Sequence, residues 1–141
     1  MTIVVTGATG QLGRLVVESL LRRGASPTDV VATGRDEARL AELATSGVRT
    51  TVTDYADAAS LAAAFQGADR VLLISGSEVG QRLPQHTSVV EAAKAAGVRQ
   101  LLYTSISHAD TAQMALATEH RETERVIRES GIPFTFLRNS W

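Results

Sequence analysis

Cysteine is absent from the 141 residues, and with it go disulfide bridges, thiolate metal sites and a cysteine nucleophile. Neither charge is in surplus, since the formal net charge is -1. A grip on nucleic acid or anionic lipid is therefore not expected. No apolar run approaches the about 20 residues that a membrane helix needs. The opening Thr2-Ile3-Val4-Val5-Thr6 carries no basic leader. A reducing cytoplasm is the expected compartment. Linkers, repeats and low-complexity tracts are missing too, and a chain of this length is most simply one domain, burying roughly 68–70% of its unfolded surface.

What is present is an ordinary soluble composition, 44% hydrophobic and 21% charged, laid out in a repeating order. Short β-branched or apolar runs at residues 2–6, 29–33, 49–53, 70–75, 100–104 and 134–137 predict strands. Most are continuous rather than alternating, as expected of a parallel sheet covered by helices on both faces. Between them, residues 11–23, 36–45, 57–66, 80–96 and 115–130 have helical patterning. The first puts Leu12, Leu15, Val16, Ser19 and Leu20 on one stripe. The second opens at Asp36, suited to an N-cap. The resulting βαβαβαβαβαβ order predicts a Rossmann-like, doubly wound α/β sheet in strand order 3-2-1-4-5-6, its right-handed crossovers on alternating faces.

The first strand runs into Gly7-Ala8-Thr9-Gly10-Gln11-Leu12-Gly13 and then a helix, the context a phosphate cradle requires. Gly7 permits the tight turn, Gly10 lets a diphosphate approach the backbone, and Gly13 lets helix and strand pack closely. Amides at the helix start, backed by its dipole, face the anion. The spacing is G-x-x-G-x-x-G, and Gly-Lys-Ser/Thr is missing, which excludes a P-loop. The bland alternative is a tight connection and nothing more.

The second strand ends in Thr33-Gly34-Arg35 without a carboxylate. An acidic residue there marks NAD, whereas an Arg suits a 2′-phosphate, so NADPH is expected over NADH. Otherwise Arg35 is an exposed residue that Asp36 neutralises. Asp54 and Tyr55, after the third strand, either border the adenine or close a turn. Ser75, Gly76 and Ser77, after the fourth, either admit the nicotinamide ribose or form a plain loop.

These residues resemble the atypical short-chain dehydrogenase/reductase superfamily, in its NmrA-like branch, and within it the bacterial NAD(P)H:quinone oxidoreductases, with triphenylmethane reductase a near relative. The phrases that carry the likeness are the glycine turn, Leu73-Ile74-Ser75-Gly76-Ser77-Glu78-Val79-Gly80-Gln81-Arg82, Tyr103-Thr104-Ser105 with His108-Ala109-Asp110, and Phe134-Thr135-Phe136-Leu137-Arg138-Asn139-Ser140-Trp141. The resemblance implies hydride transfer from NADPH to a quinone or other small aromatic electron acceptor. It makes Thr104, Ser105 and Asn139 further nicotinamide contacts and leaves room for a homodimer. The superfamily's Tyr-x-x-x-Lys proton donor falls here on Leu116 and His120, so the usual donor is missing. A quinone tolerates that loss, because hydride addition leaves a delocalised oxyanion that water protonates. The resemblance also implies that residues 1–141 are the NAD(P)-binding domain, the family's C-terminal substrate-binding portion being absent from them. The chain is then a truncated form or fragment.

His120 and His108 are the weak catalytic candidates. His120 shares a helix face with Leu116, Thr123 and Ile127 and reads equally as packing; His86 reads as a helix-surface residue. The charged stretch from Glu119 to Glu129, with a Glu124–Arg128 pair at i,i+4, reads as the wet face of the last helix. In Gly76-Ser77-Glu78-Val79-Gly80 the serine comes one place early for a hydrolase elbow. No His/Asp/Glu cluster has metal-ligand spacing, so no metal is expected. The rival function is a non-enzymatic NAD(P)-sensing regulator of the NmrA type.

Overall fold

A computed structural model describes residues 1–111 and 113–140 of the chain; Trp141 lies outside the described residues. Six strands, β1 (Ile3–Val5), β2 (Val30–Gly34), β3 (Arg49–Val52), β4 (Arg70–Leu73), β5 (Gln100–Ile106) and β6 (Phe134–Asn139), form one parallel sheet. Their order is β3-β2-β1-β4-β5-β6, as expected. The crossovers are α1 (Gln11–Arg22), α2 (Glu37–Ala44), α3 (Ala58–Phe65), α4 (Arg82–Ala95) and α5 (Ala115–Ser130).

Neighbouring strand residues point to opposite faces, and the core divides accordingly. Val5, Val30, Ala32 and Leu72 pack with Val17 of α1 and Leu40 of α2. Val4, Val31, Val71, Leu73, Leu101 and Tyr103 pack with Phe65 of α3, Val89 of α4 and Ile127 of α5. The helices therefore do not alternate between faces, as the sequence reading expected. The sheet grows outward in one direction through β2 and β3, then doubles back to grow through β4, β5 and β6. Right-handed crossovers change face only once when the direction changes once.

Three local differences have physical causes. Leu12 and Leu15 are 45% and 53% exposed, because α1 docks through Gly13 and Val17, with Val16, Leu20 and Leu21 beside them. Two overlapping apolar stripes exist on α1, and the close approach at Gly13 selects the other one. Helix α4 starts at Arg82, not at residue 80, since Gly80 has φ +82°. Helices α2 and α3 start one residue after their caps: Asp36 accepts from the Arg39 amide, and Asp57 from those of Ala59 and Ser60. No helix among the described residues is long and apolar enough to cross a membrane.

Candidate cofactor-binding cleft

Where the strand order reverses beside β1, the carboxyl ends of four strands enclose a cavity of about 390 Å³. The glycine turn contributes Gly7, Thr9 and Gly10; the end of β2 contributes Gly34, Arg35 and Asp36. Thr53, Asp54 and Tyr55 follow β3, and residues 74–78 follow β4, with Gln85 of α4 beside them. Of the six segments of expected contact residues, those that follow β1, β2, β3 and β4 meet here.

The turn is built for close approach. Gly7 has φ +61°, and its carbonyl accepts from the Gly10 amide at 3.1 Å. A Cβ on Gly13 would stand 2.1 Å from the Gly7 oxygen and 2.6 Å from the Ala8 Cα, so only glycine lets α1 sit this close to the turn. A Cβ on Gly10 would meet only the Gly7 oxygen, at 3.5 Å; its free side is the cleft. Helix α1 also has no side-chain cap. Its first amides lack the acceptor that Asp36 gives α2 and Asp57 gives α3. Uncapped amides at a helix start are donors in want of an acceptor.

Behind the turn, the Tyr55 hydroxyl donates to Thr6 Oγ1 (2.9 Å) and lies 3.1 Å from the Ile74 carbonyl, tying the ends of β1, β3 and β4 together. Burial pushes the Tyr55 phenol up to about 12, so it remains a donor at neutral pH. Asp54 lines the cleft and also closes a turn, accepting from the Ala56 amide at 2.9 Å. Arg35 is exposed, and its partner is Glu78 at 3.3 Å, across the cleft mouth. Asp36 does not neutralise it; that carboxylate pairs with Arg39 at 3.5 Å.

The remaining expected contacts divide. Ser75, Gly76 and Ser77 line the cavity. Thr104 stands just behind: its Oγ1 accepts from the Ser75 amide at 2.9 Å and donates to Ser75 Oγ at 3.3 Å. Gln11 lines a second cleft beyond the turn, while Leu12 faces solvent. Ser105 is buried and donates to Glu124 at 2.6 Å. Asn139 is exposed on β6, where its carbonyl accepts from the Ser107 amide. His108 is exposed in the loop after β5, at φ +59°.

His120 is buried, with Nδ1 2.5 Å from the Tyr103 hydroxyl. Burial holds its pKa below the usual imidazole range, so the packing reading describes its surroundings. His86, in contrast, is not a surface residue. It is fully buried, its Nε2 accepts from the Gly76 amide at 2.9 Å, and Nδ1 faces Thr123 Oγ1 at 3.0 Å. Its position with Val89, Val90 and Ala93 on one helical face was the available signal. Glu124 is not on a wet face either. Its side chain is 4% exposed and is held by Arg138 at 2.6 Å, with Arg128 farther off at 3.8 Å.

A six-stranded parallel sheet in this order, with a glycine turn at the reversal and an uncapped helix behind it, defines a Rossmann-like nucleotide fold. The chain belongs to the NAD(P)H-binding family, whose model matches residues 7–141. Quinone oxidoreductase 2 of Escherichia coli (strain K12) is 51% identical over 139 residues, which cover 99% of this chain and 48% of that protein. The crystal structure of the NADPH-dependent quinone oxidoreductase of Escherichia coli complexed with NADPH aligns at a TM-score of 0.95, covering 99% of this chain and 49% of the other. Triphenylmethane reductase of Citrobacter sp. aligns at 0.94 with 40% identity, over 99% and 49% of the two chains. The chain spans about half the length of the curated relatives it matches.

Proposed function

We propose that residues 1–141 are the nucleotide-binding unit of an NADPH-dependent oxidoreductase that reduces a quinone or a related small aromatic acceptor in the cytoplasm. One observation carries the reading: the uncapped start of α1 faces, across Gly10, a cleft lined by four strand ends. The amides of Gln11, Leu12 and Gly13 with Thr9 would hold the diphosphate. Arg35, once it leaves Glu78, would take the 2′-phosphate, and Asp54 and Tyr55 would border the adenosine. Ser75, Gly76 and Ser77, backed by Thr104, would flank the nicotinamide ribose. When bound, NADPH supplies the hydride. The chain's part is to bind and orient the nucleotide, since the oxyanion of a reduced quinone takes its proton from solvent. The acceptor-binding portion belongs to the further length that the relatives possess.

Two measurements test this. Steady NADPH consumption with benzoquinone, by the chain together with whatever completes its acceptor pocket, marks an enzyme. Arg35→Ala should cost NADPH on the order of 1.5–3 kcal/mol of binding, the worth of a charge-assisted hydrogen bond, and leave NADH unchanged. Equal loss of both nucleotides would remove Arg35 from the phosphate site. A second reading, a nucleotide sensor without turnover, is favoured by Leu116 and by the engagement of His120 with Tyr103. Tight NADPH binding with no consumption in the presence of acceptor would select it.

A further inference from the structure

Residues 74–81, between β4 and α4, have no regular secondary structure, yet the middle of this loop is held at both polar ends of one residue. The Gly76 amide donates to His86 Nε2 at 2.9 Å, and the Gly76 carbonyl accepts from Arg82 Nε at 2.6 Å. Both side chains come from α4, four residues apart and therefore on one face. Each is braced in turn from α5. Arg82 pairs with Glu119 at 3.2 Å, the two side chains only 12% and 18% exposed. His86 Nδ1 meets Thr123 Oγ1 at 3.0 Å. Glu119 and Thr123 are again four residues apart. Two parallel rungs run from the loop through α4 to α5.

The proton positions in the second rung are determined. A backbone amide can only donate, so Nε2 of His86 carries the lone pair and the ring proton sits on Nδ1. That proton goes to Thr123 Oγ1, whose own hydrogen goes to the Glu119 carbonyl at 3.0 Å. Every group is satisfied with a neutral imidazole, and burial, with His120 and Arg82 nearby, lowers its pKa to about 3. Desolvating an Arg, a Glu and a His beneath a loop is costly unless each is paired. A loop needing no defined shape would satisfy its backbone with water.

We infer that Arg82 and His86 are positioning residues of the cleft's nicotinamide half, gripping Gly76 from both sides so that residues 75–77 present a fixed wall to the nicotinamide ribose. This rests on the function proposed above. The adenosine half, on the β2 and β3 side, has none of these four side chains in its lining, and Tyr55 meets the His86 ring only edge-on, at 6.5 Å. Disturbing the rungs therefore separates the two halves of the ligand.

The test compares NADPH with 2′-phospho-ADP-ribose, which lacks the nicotinamide, by titration calorimetry on the full chain and three variants. His86→Leu keeps the apolar bulk and removes the acceptor. His86→Gln restores an acceptor near the Nε2 position. Thr123→Val keeps the shape of its side chain and removes only the outer partner, so the question survives if His86→Leu does not fold. NADPH should weaken roughly tenfold in His86→Leu, the worth of about one hydrogen bond, recover in His86→Gln and fall by a smaller factor in Thr123→Val. The truncated nucleotide should bind all forms within about twofold. Equal weakening of both ligands, or a His86→Gln variant no better than His86→Leu, overturns the positioning role while leaving the proposed function intact. A wild-type chain that binds neither nucleotide overturns both.

Discussion

Arg35 Nη1 lies 3.3 Å from Glu78 Oε1, a contact that bridges the mouth of the cleft from the β2 side to the β4 side. The two side chains are 69% and 45% exposed, so the bridge is worth about 0–1 kcal/mol. A 2′-phosphate has to displace Glu78 to reach Arg35. Glu78→Gln removes that competition. It should tighten NADPH by about two- to fivefold at low salt, within the worth of an exposed pair, and leave NADH where it was. Fluorescence titration with both nucleotides decides the matter; an unchanged NADPH affinity means that Arg35 does not serve the phosphate.

Two glycines of one turn should respond in opposite ways. Gly13→Ala pushes a methyl to within 2.1 Å of a backbone oxygen that cannot retreat, and should cost about 3 kcal/mol of stability or more, seen as a lowered melting temperature. Gly10→Ala meets nothing nearer than 3.5 Å and sits at φ -82°. Its stability should stay within about 0.5 kcal/mol of the wild type. The methyl enters the space proposed for the diphosphate, so nucleotide affinity should fall by about tenfold or more. Loss of fold in Gly10→Ala, or undiminished binding, contradicts the cradle.

Acid stability should depend on His86. Its folded pKa, about 3, lies below the ordinary value near 6.5. The unfolded chain therefore binds the proton first. The contribution is complete above about pH 6.5 and is lost as pH falls toward 3, with a slope approaching 1.4 kcal/mol per pH unit from this one group. His120, also shifted down by burial, acts in the same direction. Urea unfolding at pH 7, 6 and 5 should show a clearly shallower fall in His86→Gln than in the wild type, and parallel curves would refute the assignment.

Arg138 should matter more than an edge-strand arginine usually does. It donates twice to buried Glu124, at 2.6 and 3.1 Å, and lies 5.9 Å over the Phe136 ring. Arg138→Ala leaves that carboxylate with Ser105 and a distant Arg128, and should destabilise the chain by about 3 kcal/mol. Glu124→Gln in the same background should restore part of the loss, because an amide needs no counter-charge. A double variant no more stable than Arg138→Ala would show that the charge is not the cause.

The strand order was legible because strand–helix alternation, glycine punctuation and the handedness of crossovers leave few topologies open. The cleft was legible wherever a strand end carried its own signature, as at Gly7, Gly10 and Arg35. Hidden from the sequence were residues whose meaning depends on a neighbour far along the chain. Glu124 looks solvated beside Arg125 and Arg128 until β6 brings Arg138 over it. His86 looks like a helix-surface residue until the loop after β4 places the Gly76 amide against it. Leu12 and Leu15 misled for the opposite reason, since a leucine declares itself as core whereas the contact that orients α1 is made by Gly13, which has no side chain to announce it.

The 2.5 Å bond between Tyr103 and His120 bears on any attempt to engineer this scaffold for alcohols or ketones. Installing tyrosine at 116 and lysine at 120 would not simply transplant a proton donor. It would strip a fully enclosed phenol of its imidazole partner and introduce an ammonium close to Arg82, whose charge already disfavours protonation at that place. Such a conversion calls for rebuilding β5 and the two helices, α4 and α5, whose side chains pack around Tyr103.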